Sequence, residues 1–327
     1  MSTITPAAVM AVQSPFTTSP SYSGTFIPTI WSSKLNIKFY AATTFGDISN
    51  TNWEGDIKSM GDKVVINNIP TISINAYTIG QNLTYEVPTP NTVELQIDKG
   101  YYFGVNVSDV LEYQAQPNLM DIFTTDAANQ MKIAVDRESF LNTFSSANSS
   151  NIGTTAGALS GGYNMGSDAS PIDYSVTTNS ILNTITSMGS VLDEQNVPET
   201  DRYIVITPTE RQLLMQSPLA QAYVTGDSES ILRNGKVGRI DRFDIYVSNL
   251  LPKAAAGYDY FGAVAAGTVK RHVIIAGHKS ALTFASQINK VESIPNPNDF
   301  GTLVRGLVVY GRKTVKDTAL SYAVVEG

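Results

Sequence analysis

The segment Asn234-Gly235-Lys236-Val237-Gly238-Arg239-Ile240-Asp241-Arg242-Phe243-Asp244-Ile245-Tyr246-Val247-Ser248-Asn249-Leu250-Leu251-Pro252 holds two glycines, a strand and an apolar turn closed by proline. Arg239 to Val247 reads as the strand on its β-branched and aromatic content. The glycines precede that strand instead of opening a helix after one, which rules out a dinucleotide fingerprint. Upstream, Arg202-Tyr203-Ile204-Val205-Ile206 is a short buried strand. Thr207-Pro208-Thr209-Glu210 follows it, with threonine at the cap, proline at the first helical position and glutamate two further on. That capping box starts a short helix through Met215. Ile181, Ile185, Met188 and Leu192 repeat at steps of three and four, an amphipathic helix ended by Asn196-Val197-Pro198. Val273 to Ala276, Leu282 to Ala285 and Val304 to Tyr310 are strand-like. The C-terminal half is therefore a mixture of helix and sheet.

The N-terminal half is organised around a long helix. Asn118 to Phe144 contains no Gly or Pro, and Leu119, Phe123, Ala127, Met131, Ala134 and Val135 recur at helical steps. Such a helix spans about 40 Å. Lys99 to Val107 reads as a strand leading to it. Before that, Lys63 to Ile69 and Thr71 to Ile74 have strand composition, Pro70 interrupts them, and Thr92 to Asp98 alternates apolar and polar residues with period two. Together they describe a long two-stranded arm whose polar tip, Gly80 to Asn91, holds Pro88 and Pro90. An isolated hairpin is marginally stable in water, so this one is expected to lie against something else, such as another copy of the chain.

Two uncharged stretches frame this region. Residues 1–33 carry no charged side chain, 13 Ser or Thr and four prolines. That composition fits a disordered tail, but Phe16, Tyr22, Phe26, Ile27, Ile30 and Trp31 are too many large apolar groups for one. An extended arm that becomes ordered on a neighbouring copy explains both facts. Ser139 to Ser167 is also uncharged, and its serine run and Gly161-Gly162 read as a flexible connection between two units.

Composition narrows the function. The 327 residues include 22 Lys and Arg against 29 Asp and Glu, a net charge of −7, with two His and no Cys. This balance argues against holding nucleic acid through clustered cations. The lack of cysteine removes disulfides, thiolate metal sites and cysteine nucleophiles. The most apolar run, Phe261 to Val269, is far below the roughly 20 residues of a membrane span, and no basic, apolar leader opens the chain. His272 and His278 are six apart and read as surface or hydrogen-bonded core residues. Gly277-His278-Lys279-Ser280 lacks the phosphate-loop register, and no Gly-x-Ser-x-Gly elbow occurs. Asp193-Glu194 and Asp241 to Asp244 read as solvated faces. No catalytic, cofactor-binding or metal residue is assigned, and the chain is not expected to be an enzyme.

The segment 234–252 resembles the signature strand of tailed-bacteriophage major capsid proteins. So do Ala276-Gly277-His278-Lys279-Ser280-Ala281 with Phe284-Ala285, and Gly306-Leu307-Val308-Val309-Tyr310-Gly311-Arg312-Lys313. Tyr102 to Val110, leading into a long helix, is similar to the strand-to-spine passage of the same family. The resemblance covers roughly residues 30–327 in the family's order. It implies an α+β chain of the Hong Kong phage capsid fold, with an N-arm (1–45), an extended β-hairpin E-loop (56–100), a discontinuous peripheral domain with the spine helix (101–150 and 296–327) and an α/β axial domain (170–295). Phe26, Ile27, Ile30 and Trp31 of the N-arm and Tyr77, Ile79, Leu83, Tyr85 and Val87 of the E-loop are then the candidate inter-subunit contacts.

The same resemblance implies a coat protein of the virion that self-assembles, as hexamers and pentamers, into an icosahedral shell around double-stranded DNA. It implies assembly in the bacterial host cytoplasm, no sequence-specific DNA binding and no membrane. Partners would be the protein itself, a portal, a decoration protein and a separate scaffolding protein, because the N-terminal segment is too short for a built-in scaffolding domain. Some relatives join subunits through Lys–Asn crosslinks. Lys63 and Lys99 lie on the loop, but no acceptor is identified and no crosslink is expected. Asp241-Arg242 stands where relatives often carry glycine, so a different local turn is expected. An encapsulin-like compartment shell and a β-rich phage tail or surface protein are the alternative readings.

Overall fold

Tyr203 to Ile206 and Val273 to Ala276 are apolar without alternation, so both faces of these strands need cover. The computed structural model describes residues 41, 43–53, 63–70, 72–108, 119–176, 179–217, 238–253, 271–297 and 300–326, all within one compact unit, Lys38–Gly327. The elements are α1 (Phe45–Ile48), β1 (Lys63–Asn68), β2 (Asn91–Gln96), β3 (Lys99–Ser108), α2 (Leu119–Thr143), β4 (Ile172–Asp173), α3 (Ile181–Glu194), β5 (Arg202–Ile206), α4 (Pro208–Gln216), β6 (Arg239–Ile240), β7 (Phe243–Val247), β8 (Arg271–His278), β9 (Leu282–Pro295), β10 (Gly301–Thr314) and β11 (Leu320–Glu326). The expected α+β chain is observed.

Three sheets result. The largest has six strands in the order β4-β11-β8-β5-β7-β6, and the two unbroken apolar runs are its central members β8 and β5. Helix α3 presents Ile181, Ile185, Met188 and Leu192 to the core, all buried as their spacing requires. The capping box at Thr207 forms, with Glu210 accepting from the Thr207 amide. The second sheet is antiparallel, in the order β3-β10-β9. An unpaired Asn289 opposite the Leu307–Val308 step makes a bulge in β9, which bends such a sheet. The third is the β1–β2 hairpin, with Lys63 opposite Gln96 and Asn68 opposite Asn91.

Strand pairing groups the C-terminal elements differently from the sequence boundary at 295/296. β9, on the near side of that boundary, pairs with β10. β11, on the far side, sits between β4 and β8 in the six-stranded sheet. The stretch 139–167 is no flexible connection. Phe144, Asn151, Ala156 and Met165 are fully buried in it. Asn151 donates to the carbonyls of Thr318 and Leu320 at 2.7 and 2.9 Å. The segment Ile72 to Ile74 is not a strand: it has no ladder partner. In α2 the C-terminal half is buried, through Met131, Val135, Ser139 and Phe140, while Phe123 near its start is exposed. The apolar stripe read along the helix is thus covered over only part of its length.

Two further corrections concern charges. Asp193 is not simply solvated. It accepts from the wholly buried Arg202 at 2.7 Å and from Arg242 at 2.6 Å, tying α3 to the start of β5 and to the β6–β7 turn. Asp241, the first residue of that two-residue turn, has φ +52°, the left-handed region glycine normally fills.

The hairpin is fixed to the body at its base. Ile66, Leu95 and Ile97 are buried with Ala285 of β9 and Val309 of β10. The close approach is possible because residue 311 is glycine: a Cβ there would overlap the Gln96 carbonyl oxygen. We expect Gly311→Ala to lose about 1–3 kcal/mol of unfolding free energy in urea titrations, the usual range for overpacking. Gly104→Ala, where a Cβ meets nothing within 4 Å, should change it by less than about 0.5 kcal/mol.

Candidate functional site

Beyond its rooted base the hairpin becomes a different object. From residue 72 to residue 90 every described position is exposed, and the two limbs form no ladder. One turn joins them: Gln81 N–H donates to the Thr78 carbonyl at 3.1 Å, and Gly80 has φ +91°, as the third position of a type II turn demands. The Ser73 amide donates to the Glu86 carboxylate at 3.0 Å. The five candidate residues of this tip are placed together in water, with Tyr77 68%, Ile79 96%, Leu83 61%, Tyr85 89% and Val87 86% exposed. Ile69, Ile72 and Ile74, read from sequence as strand residues, join this apolar surface. Their strand-like composition concealed it, because β-branched residues are equally at home in an arm. Phe26, Ile27, Ile30 and Trp31 lie outside the described residues.

A second feature has no signal in the sequence. Between α1, α2 and the β3–β10–β9 sheet lies a groove of about 350 Å³, walled by Phe103, Met131, Val135, Val291 and Leu307. Its charged lining residues are Asp47, Lys132 and Asp136. Asp136 is occupied: it accepts from the amides of Thr44 at 2.6 Å and Phe45 at 3.1 Å, capping α1. The residues come from five elements spread over 260 positions of chain, so no local pattern announces them.

Two carboxylates of α2 hold this wall with opposite electrostatics. Burial raises Asp136 above the ordinary aspartate value, and the nearby Asp47 adds to it against the pull of the Phe45 and Thr44 amides. Burial also pushes Glu138 up, but hydrogen bonds from Arg312 and Tyr310 and the charges of Arg312 and Lys99 outweigh it. Glu138 therefore lies below the ordinary glutamate value. It accepts from Tyr310 Oη and from Arg312 through both its oxygens, so α2 is clamped to β10.

The remaining candidate groups are built into the body. Glu210 is wholly buried, with one carboxylate oxygen on Thr207 and the other on Nε2 of the buried His272. His278 contacts Ser280 through Nδ1 at 2.8 Å. Both histidines are hydrogen-bonded, as read from sequence. Lys63 pairs with Glu94 at 2.9 Å across the hairpin.

The structure thus presents a rooted arm with an apolar exposed tip beside a long helix and a bent sheet. The family model described as phage capsid protein matches residues 90–322. The chain belongs to the phage capsid protein family. It is a coat protein of the virion, and copies of it form the capsid shell. Solved structures share the fold. Mycobacterium phage Che8 matches with TM-score 0.66 and 23% identity over 91% of this chain and 97% of that one. The capsid of cyanophage P-SCSP1u matches with TM-score 0.64 and 18% identity over 96% and 98%. The capsid of a native GTA particle matches with TM-score 0.59 and 12% identity over 98% and 99%. Comparison with curated proteins gives no match.

The coat protein's acid response follows from Glu138. With its folded value below the ordinary 4.5, its contribution is full above that value and is lost as pH falls through the depressed one. Asp136, with its folded value above 3.8, works the other way: its contribution is greatest below 3.8 and is lost as pH rises through the raised value. We expect Glu138→Gln to flatten the loss of thermal stability on acidification below pH 4.5 and Asp136→Asn to steepen it, measured by melting temperature against pH.

Proposed function

We propose that the arm 56–100 is the connector through which this coat protein binds its neighbours, with the segment 1–45, uncharged over residues 1–33 and carrying Phe26, Ile27, Ile30 and Trp31, as a second one. The observation that carries this is the apolar tip, rooted at its base by Ile66, Leu95 and Ile97 and yet exposed among the described residues. Each such side chain is worth about 1.5–3 kcal/mol when fully buried. A closed shell repeats each contact many times, so modest contacts suffice. The role is structural rather than catalytic.

The finer reading rests on the family resemblance and the charge. Hexamers and pentamers build an icosahedral shell around double-stranded DNA, in the cytoplasm of the bacterial host. A net charge of −7 keeps the wall from gripping the genome. A separate scaffolding protein, a portal and a decoration protein are the partners.

Negative-stain electron microscopy of the expressed protein, with and without a candidate scaffolding partner, tests this reading. Closed shells, tubes or sheets of hexamers are expected, and monodisperse monomers under both conditions would overturn it. We further expect the variant Tyr77→Ser/Ile79→Ser/Tyr85→Ser/Val87→Ser to keep the wild-type circular dichroism and melting temperature, because these side chains are exposed. The same variant should sediment as free subunits where the wild type forms shells.

A further inference from the structure

A cleft of about 810 Å³ lies between the hairpin base, the end of α3, the β8–β9 turn and the β10–β11 connection. It shares no lining residue with the groove beside α2. Its walls are held in place. Gln195 donates to Asn151 at 2.9 Å, Asn148 donates to Asp317 at 3.2 Å, and Ile66 belongs to the buried root of the hairpin. Trp53 packs against that root and lines the cleft. Its indole N–H has no hydrogen-bond partner among the described residues, and neither have the side-chain amides of Asn67, Asn68 and Asn196, which share the lining. The cleft is also close to neutral. Among the described residues its charged lining is Lys316 and Asp317, adjacent and opposite in sign. Burial holds the His278 imidazole below its ordinary 6.5, and the charges of Lys316 and Arg202 act with it against Asp201 and the Thr200 backbone, so this residue too is neutral at pH 7.

We propose that this cleft binds a neutral saccharide, stacked on Trp53 and hydrogen-bonded by the amides of Asn67, Asn68 and Asn196. The inference is independent of the connector reading above. A sugar ring combines a face of C–H groups with a rim of hydroxyls. The C–H face suits the electron-rich face of an indole. Each hydroxyl both donates and accepts, and so does each side-chain amide, so neighbouring asparagines match neighbouring hydroxyls. Val197, Pro198 and Val315 supply apolar wall between these polar points, the mixture that small-molecule sites present. A phosphorylated or acidic ligand would find one cation with an anion beside it. A wholly apolar ligand would strip water from the three amides without replacing its hydrogen bonds.

Tryptophan fluorescence is the test. The chain has two tryptophans, Trp31 and Trp53, so Trp31→Phe leaves Trp53 as the only indole reporter. The full-length Trp31→Phe protein is titrated with maltotriose, cellotriose, chitotriose and mannotriose, with trigalacturonate as an acidic control and trialanine as a peptide control. A saturable change in Trp53 emission with one or more of the neutral sugars is expected, and none with either control. On the same background Asn67→Ala/Asn68→Ala should weaken binding about tenfold or more through two lost hydrogen bonds. Lys316→Ala should change it by less than about twofold, because an exposed charge adds little to the binding of a neutral ligand. Asn196 has φ +57°, which glycine adopts freely. Asn196→Gly should therefore keep the melting temperature of the parent and still weaken binding about threefold to tenfold. A response to none of the neutral sugars, a response only to a control, or binding that the asparagine substitutions leave unchanged would overturn the assignment.

Discussion

Everything specific to this coat protein depends on the contact between the hairpin base and the body. Ile66, Leu95 and Ile97 lie against Ala285 and Val309, and Gly311 lets the Gln96 backbone come within reach. A hairpin alone is marginal in water, and the limbs beyond residue 69 have no ladder to support them. Rooting the base lets the sequence carry Ile72, Tyr77, Ile79, Tyr85 and Val87 in solvent without drawing them into the core. If the root were loose, the same side chains would collapse onto the nearest apolar surface and be lost to a neighbour.

The body is built on one large buried core, with a separate smaller cluster at the hairpin base. Phe45 and Ile48 of α1, Phe140 of α2 and Phe144 just after it join the strands of the six-stranded sheet in a single buried cluster. Edge-to-face contacts of Phe45 with Phe140 and Phe284 link α2 to β9, and the Glu138–Arg312–Tyr310 clamp links it to β10. The long helix is therefore tied to both β9 and β10, the strands on which the hairpin base is seated.

Much of this was legible in the sequence, and what was not has a common cause. Helix α3 was readable because Ile181, Ile185, Met188 and Leu192 share a face within fourteen residues, and α4 because its cap is four consecutive residues. Strands β5 and β8 declared themselves by unbroken apolar runs. The stretch 139–167 was misread because its partners are remote: Asn151 is held by carbonyls at 318 and 320. Uncharged, serine-rich chain looks alike whether it is solvated or pinned. Strand β11 was grouped with β10 through the family resemblance, whereas its partners lie at 271–277 and 172–173. The tip candidates were found through a family resemblance. The groove stayed invisible since each wall belongs to a different element.

Exposing an apolar arm invites premature association, and the charge distribution opposes it. The protein carries a net charge of −7, while residues 69–90 contribute one charge and residues 1–33 none. Repulsion between like-charged bodies acts over a Debye length of about 8 Å at physiological ionic strength, so it is felt by any two copies that meet. On the connector reading proposed above, the apolar side chains of these segments act only at contact. A single docked arm must overcome the repulsion and the entropy of ordering its limbs. Several arms docked around one subunit share the cost of holding it in place. On that reading, association is weaker for stray pairs than for subunits that meet many neighbours at once. A rooted apolar tip on an acidic body thereby favours closed, many-contact assemblies over open aggregates.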